Sequence, residues 1–257
     1  MENLVEPCTG NPNPGDPKLS SFVRLAFCVL ADDRVPRRVK TKLLKRMPVV
    51  LWLHGLGDTG DGWRHLPREL RLSGDFKFIF PDAPVQPVSC NGGFKMTSWM
   101  DLDEIPVSLG IRDDEVGLAS STKIVHDIIK KEMADNGTPS TDIVIGGFSQ
   151  GGAMALLAGF TFPQKLAGVV CFSGWPALQD KLVERTKAAG NADTPAFVAH
   201  GTADEVVLPE CGAKAAELLK QSGVPVTFKT YERMGHSSCS AQMAELKDWL
   251  EGLFGPK

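Results

Sequence analysis

Residues 143–157 read IVIGGFSQGGAMALL, and the fold can be worked out from them. Ile143, Val144 and Ile145 form an unbroken apolar, β-branched run, the pattern of a strand covered on both faces. Gly146 and Gly147 precede Phe148-Ser149-Gln150, Gly151 and Gly152 follow it, and Ala153 to Leu157 then opens a strong helix. A strand that passes into a helix within so few residues must turn sharply. Glycines two before and two after the serine, at 147 and 151, suit a turn in which neighbouring backbone comes too close for a Cβ. The turn pushes the serine hydroxyl out at the carboxyl end of the sheet. It also leaves the Gln150 amide at a helix N-terminus, where it can donate to developing negative charge. A Gly-rich turn with an incidental serine is the competing reading, and the strand and helix on either side weigh against it.

Working outward, apolar runs of the same type recur at 49–53, 76–80, 166–172, 196–199 and 226–231. Helical patterns lie between them: 113–133, with acids at Asp113, Asp114 and Glu115 suiting the dipole, a segment after Gln150, and 209–221. A final helix carries Met243, Leu246, Leu250 and Leu253 on one stripe. Strands alternating with helices predict an α/β fold with a mainly parallel central sheet and helices on both faces. There is no internal repeat and no linker, so residues 19–257 read as a single domain. Within it, 19–47 form an added strand (Phe22 to Ala31) and a basic hairpin. Residues 1–18, rich in Pro, Asn and Gly, read as a disordered tail.

Composition closes off other classes. The chain has 257 residues, 28 Lys plus Arg against 31 Asp plus Glu, and a formal charge of -3. So even a balance gives no electrostatic case for nucleic acid. The 6 cysteines (8, 28, 90, 171, 211 and 239) form no C-x-x-C pair and read as free thiols of a reducing compartment. No run of about 18 apolar residues exists to span a membrane. The apolar stretch at 22–31 is interrupted by Arg24 and lacks a basic n-region, so it is not a signal peptide and the expected location is cytoplasmic. The basic stretch from Arg34 to Arg46 is either a solvated hairpin or a contact for an anionic membrane surface or an acidic partner.

A serine hydroxyl needs a base to take its proton. Of the five histidines, His54 and His200 end buried strands and read as structural, His126 lies within a helix, and His65 has no evident partner. His236 follows the run 226–231 and precedes the last helix, in a loop able to reach across the carboxyl edge of the sheet. The acid that orients it should follow an intervening strand, which selects Asp204, with Glu205 its close competitor. A second oxyanion donor is expected from the loop after the first buried strand, at the Leu56 amide. A phosphate-binding loop is the rival there, but neither G-x-x-x-x-G-K-[ST] nor G-x-G-x-x-G is present.

With these residues identified, the chain resembles the acyl-protein thioesterases, a family with lysophospholipase and carboxylesterase members and the α/β-hydrolase fold. The strings that carry the resemblance are 53–60 (LHGLGDTG) with Trp63, 81–87 (PDAPVQP), 98–101 (SWMD), 146–152 (GGFSQGG), 165–169 (KLAGV) and 226–239 (VTFKTYERMGHSSC). The resemblance implies Ser149, Asp204 and His236 as nucleophile, acid and base, with oxyanion amides on Leu56 and Gln150. These are the residues already selected. The S-acylated cysteine that some members carry at position two is Glu2 here, and residues 1–47 are longer and more basic than the family's usual start.

The segment 174–195 is too short for a helical cap domain, and an uncovered site suits a bulky substrate. An apolar groove beside Ser149 is expected from Val85, Val88, Phe94, Met96, Trp99 and Met100, together with Trp175, Pro176 and Leu178; ordinary packing is the alternative for each. Of these, Val85, Met96, Trp99, Trp175 and Leu178 are the preferred substrate contacts. Burial of a fatty chain gives about 0.8 kcal/mol per methylene. The expected reaction is hydrolysis of acyl thioesters on S-acylated proteins, without metal or organic cofactor. Lysolipids or other oxygen esters are the alternative substrates. The expected partners are those substrates and a peripheral membrane contact, and the expected oligomeric state is a monomer or weak homodimer.

Overall fold

A computed structural model describes residues 47–255. The expectations for the tail at 1–18, the strand at 22–31 and the basic stretch to Arg46 lie outside the described residues. In chain order the main elements are β1 (Val49–Leu53), α1 (Leu66–Leu70), β2 (Lys77–Ile79), β3 (Val85–Val88), β4 (Phe94–Thr97), α2 (Glu115–Asn136) and β5 (Ile143–Phe148). They continue with α3 (Gln150–Thr161), β6 (Gly168–Phe172), α4 (Gln179–Ala189), β7 (Ala196–Gly201), α5 (Pro209–Gln221), β8 (Val226–Tyr231) and α6 (Ser240–Phe254). Six strands form one sheet in the order β2-β1-β5-β6-β7-β8, and each neighbouring pair is parallel.

The period-two alternation of a strand sorts the apolar runs into two layers. Leu51, Leu53, Ile145, Val169, Cys171 and Val198 face α2, α3, α4 and α5, while Trp52, Val144, Val170, Phe172 and Phe197 face α1 and α6. Both faces are covered, which is why these strands read as continuous apolar runs. The division follows from right-handed crossovers. From β5 to β8 the chain advances one strand at a time, so α3, α4 and α5 share a side. From β1 to β2 it travels the opposite way, and α1 lies on the other side. β1 and β5 are adjacent, in register from Val49↔Ile143 to Leu53↔Gly147. Their continuations depart to opposite sides, which opens a crevice at their carboxyl ends, the usual ligand position in an open α/β sheet.

Several elements differ from the sequence reading. The segment 85–97, to which the sequence reading gave no strand or helix, contains an antiparallel hairpin, with Val85 opposite Thr97 and Val88 opposite Phe94. Its strands are short and one contains Pro87, which hides them. The turn residues Gly92 (φ 64) and Gly93 (φ 78) are the local signal. Helix α4 went unanticipated because it buries only Leu182 and Thr186. Helix α2 starts later than expected: Asp114 caps it by accepting from the Gly117 amide at 3.0 Å, and Asp113 instead accepts from the Leu178 amide.

The elbow between β5 and α3 leaves no room. A Cβ at Gly151 would collide with the carbonyl oxygens of Leu53 and His54, and one at Gly147 with the carbonyl of Gly151. Gly252, in α6, has open space around it. Gly151→Ala is therefore expected to lower the unfolding free energy by about 2–3 kcal/mol, whereas Gly252→Ala raises it by roughly 0.5–1 kcal/mol. Chemical denaturation of both variants checks the contrast, and equal effects would contradict it.

Candidate active site

Ser149 sits at φ 56, ψ −123, a strained backbone conformation for a non-glycine residue, and is 9% exposed. The strain is held from both sides. Its amide donates to the Phe172 carbonyl at the end of β6 (2.8 Å), and its carbonyl accepts from the Ala153 amide in the first turn of α3 (3.0 Å). The Gln150 amide begins that helix and has no hydrogen-bond acceptor among the described residues.

The loop after β1 lies directly against the elbow: a Cβ on Gly55 would come within 3.3 Å of Ser149 Cβ. His54 orients this loop. Its Nε2 accepts from the Ala83 amide at 3.0 Å, so the proton is on Nδ1, which donates to the Gly55 carbonyl at 2.7 Å. In a trans peptide the C=O and the following N–H point in opposite directions. Fixing the Gly55 carbonyl therefore turns the Leu56 N–H the other way, and no acceptor among the described residues takes it. The Gln150 side chain adds a brace that sequence reading missed. Buried, it accepts from the Trp99 amide (2.8 Å) and donates to the Met100 carbonyl (2.8 Å), tying the 98–100 segment to the elbow.

Asp204 lies in the loop after β7 and His236 in the loop after β8, and His236 Nδ1 is 2.8 Å from Asp204 Oδ2. The other carboxylate oxygen accepts from the amides of Val206 (3.0 Å) and Val207 (2.9 Å). Glu205, the competitor, is exposed. Burial works to protonate Asp204, but hydrogen bonds from His200, His236 and the Val207 and Val206 amides outweigh it and hold the carboxyl well below the usual range. The His236 ring stands against Phe148, the residue before Ser149, with ring centroids 4.7 Å apart. Ser149 Oγ and His236 are not hydrogen-bonded to each other among the described residues; in sites without substrate this contact is commonly loose.

The expected groove residues divide. Val85 is 66% exposed and Phe94 73% exposed on the hairpin, while Met96 lies beside the loop after β1, its Sδ 3.6 Å from where a Gly57 Cβ would be. Trp175 and Pro176 line a cavity of about 130 Å³ with Leu109, Ile111 and Asp113. Two preferred contacts are corrected. Trp99 is fully buried, and its indole N–H donates to the His54 carbonyl at 2.9 Å, so it supports the loop from beneath. Leu178 is 6% exposed and lines a separate crevice with His126, Leu157, Thr161 and Arg185. Leu157 and Thr161 lie roughly 10–16 Å along α3 from the elbow at 1.5 Å per residue. Val88 and Met100 are also buried. A large apolar side chain in a loop reads the same in sequence whether it faces the substrate or the core.

Among the described residues, no group of three or more His, Cys, Asp or Glu is arranged to hold a metal ion. Cys171 and Cys211 are buried free thiols, each pushed up to about 12 by desolvation and therefore poor nucleophiles. Because the Asp204 carboxyl is depressed in the fold, its stabilising contribution is complete above the unfolded value near pH 4 and disappears as pH falls through the lower folded value. Asp204→Asn is expected to cost about 1.5–3 kcal/mol at pH 7. Denaturation at successive pH values should show the gap to wild type narrowing below about pH 4. A gap that does not change with pH would refute the assignment of that contribution to Asp204.

The phospholipase/carboxylesterase family model matches residues 36–253. Acyl-protein thioesterase 1 of Neurospora crassa is 42% identical over 225 residues, covering 84% of this chain and 91% of that protein. A probable carboxylesterase of Oryza sativa subsp. japonica is 38% identical, covering 86% of this chain and 84% of its own length. The crystal structure of Arabidopsis thaliana SOBER1 superposes with a TM-score of 0.77 at 35% identity, over 81% of this chain and 99% of that one. The chain thus belongs to the phospholipase/carboxylesterase family of ester-hydrolysing enzymes with the α/β-hydrolase fold.

Proposed function

We propose that the protein hydrolyses acyl thioesters, with S-palmitoylated cysteines of proteins as the leading substrate, through Ser149, His236 and Asp204. The observation that supports this most directly is the 2.8 Å bond from His236 to a buried carboxylate, formed at the sheet edge where Ser149 occupies its strained turn. Ser149 Oγ attacks the carbonyl carbon and its proton passes to His236 Nε2. Negative charge develops on the carbonyl oxygen and is met by the Leu56 and Gln150 amides. The C–S bond breaks, and the departing sulfur takes the proton from His236. Water then attacks the acyl-serine carbonyl, gives a proton to His236, and the C–O bond to Ser149 breaks as Oγ recovers that proton. Asp204 stays ionised throughout and steadies the imidazolium.

A thiol is a better leaving group than an alcohol by several pKa units, so thioesters depend less on protonation by His236. The absence of a helical cap over the 174–195 crossover suits an acyl group attached to a protein. Val85 and Met96, on the hairpin beside the oxyanion loop, and Trp175 in its cavity are the proposed acyl contacts. The thioesterase name of the Neurospora relative supports the thioester reading. The carboxylesterase name of the rice relative favours oxygen esters, such as lysolipids, as a second substrate class for the same machinery.

Turnover of an S-palmitoylated peptide, beside its serine O-palmitoyl counterpart, tests the proposal. The thioester is expected to be cleaved faster, and Ser149→Ala is expected to fold normally and lose on the order of 10⁴-fold or more in turnover. Faster cleavage of the oxygen ester would move the assignment to the second class. Near-wild-type turnover by Ser149→Ala would refute the mechanism.

A further inference from the structure

His200 ends β7 four residues before Asp204, and its side chain is 1% exposed. Its Nε2 is 2.8 Å from the Val207 carbonyl oxygen and 3.4 Å from Asp204 Oδ2. A carbonyl only accepts, so the proton is on Nε2 and Nδ1 carries a lone pair. That Nδ1 is buried and has no hydrogen-bond partner among the described residues. Gly212 of α5 lies against it, where any Cβ would collide with the ring. An unpaired buried acceptor is destabilising, so an imidazole here is poorly explained as packing alone. Its N–H is what distinguishes it from an apolar side chain of similar size. That N–H approaches Oδ2, the oxygen that also receives His236. Val207 closes the cluster, since its N–H donates to Asp204 Oδ1 while its C=O orients His200.

We infer that His200 is a positioning residue that acts through Asp204, its N–H drawing on the carboxylate oxygen shared with His236 and so setting the pH at which His236 becomes free to act as base. The inference rests on the triad reading above and extends it. Oδ2 divides its charge between two histidines. Without the His200 N–H, the whole charge of Oδ2 falls on His236, the imidazolium is stabilised, and His236 gives up its proton only at higher pH.

The other ionisable groups around the cluster do not supply this effect. Cys211 on α5 and Cys171 on β6 are both raised to about 12 by burial and are neutral at physiological pH. Glu210, beside Cys211, is exposed. Tyr231 on β8 is raised by burial and by Glu245 of α6, to which its hydroxyl donates at 2.8 Å. Val107, which bridges to Val207, carries no charge.

The experiment is the pH profile of kcat/KM on a soluble acyl thioester for wild type, His200→Leu, His200→Gln and Ser149→Ala. His200→Leu removes the N–H and is expected to move the acid limb upward by about 0.5–1 pH unit. His200→Gln keeps an N–H at similar reach and is expected to restore the limb to within roughly 0.2 unit of wild type. His200→Asn, whose amide is too short to reach Oδ2, should shift like His200→Leu and replaces it if the leucine variant does not fold. An unmoved limb in His200→Leu or His200→Asn, with activity lowered equally at every pH, would overturn the inference, as would a Gln variant that shifts as far as Leu. Full turnover by Ser149→Ala would overturn both the inference and the triad reading, whereas an inactive Ser149→Ala beside unmoved limbs would overturn the inference alone.

Discussion

At the turn between β5 and α3 backbone lies directly on backbone, where Gly147 and Gly151 pack against each other and against the carbonyls of Leu53 and His54. A side chain at either position would force the ends of β1 and β5 apart. Because none is there, the elbow and the loop after β1 meet, and the consequences spread from that meeting. Ser149 is held in a conformation it would not otherwise adopt, by its amide on β6 and its carbonyl in α3. Gly55 comes against the serine, so the next amide in the loop opens toward the same crevice. The price of this strain is met by the burial of α3, whose residues from Gln150 to Phe160 are all covered.

The polar part of the site is organised on the same principle of leaving few groups free. His54 uses both ring nitrogens on backbone, Gln150 ties three residues of the 98–100 segment to the elbow, and Trp99 donates to the end of β1. Asp204 accepts from two amides and contacts two histidines. Each bond fixes a group that would otherwise have several orientations, so the amides of Leu56 and Gln150 remain as donors without acceptors among the described residues. Preorganised donors of this kind cost no reorganisation when charge develops in front of them. Among the described residues the Nδ1 of His200 departs from this economy, a buried lone pair with no partner.

Much of this could be read along the chain. The runs at 49–53 and 226–231 and the helix at 209–221 appear with the bounds expected of them, because strands rich in β-branched and aromatic residues and amphipathic helices leave strong local patterns. Ser149, Asp204 and His236 could be selected because each follows a strand in the order the elbow requires. The hairpin at Val85–Thr97 was hidden by Pro87 and by strands too short to show alternation. Helix α4 was hidden because it buries so little. Trp99 and Leu178 were misjudged as groove residues, since an apolar residue in a loop carries no mark in the sequence of which way it faces.

The order of strands and helices, the need for glycine on both sides of Ser149, and the placing of Asp204 and His236 in loops after successive strands follow from local pattern and chain order, because hydrophobic periodicity and turn chemistry act over a few residues at a time. Which oxygen of Asp204 serves His236, and that Trp99 lies beneath the loop after β1, depend on contacts between segments tens of residues apart. Those contacts are set by how the parallel strands register and how the side chains between them pack, and nothing in a linear pattern records an orientation chosen by a neighbour so distant along the chain.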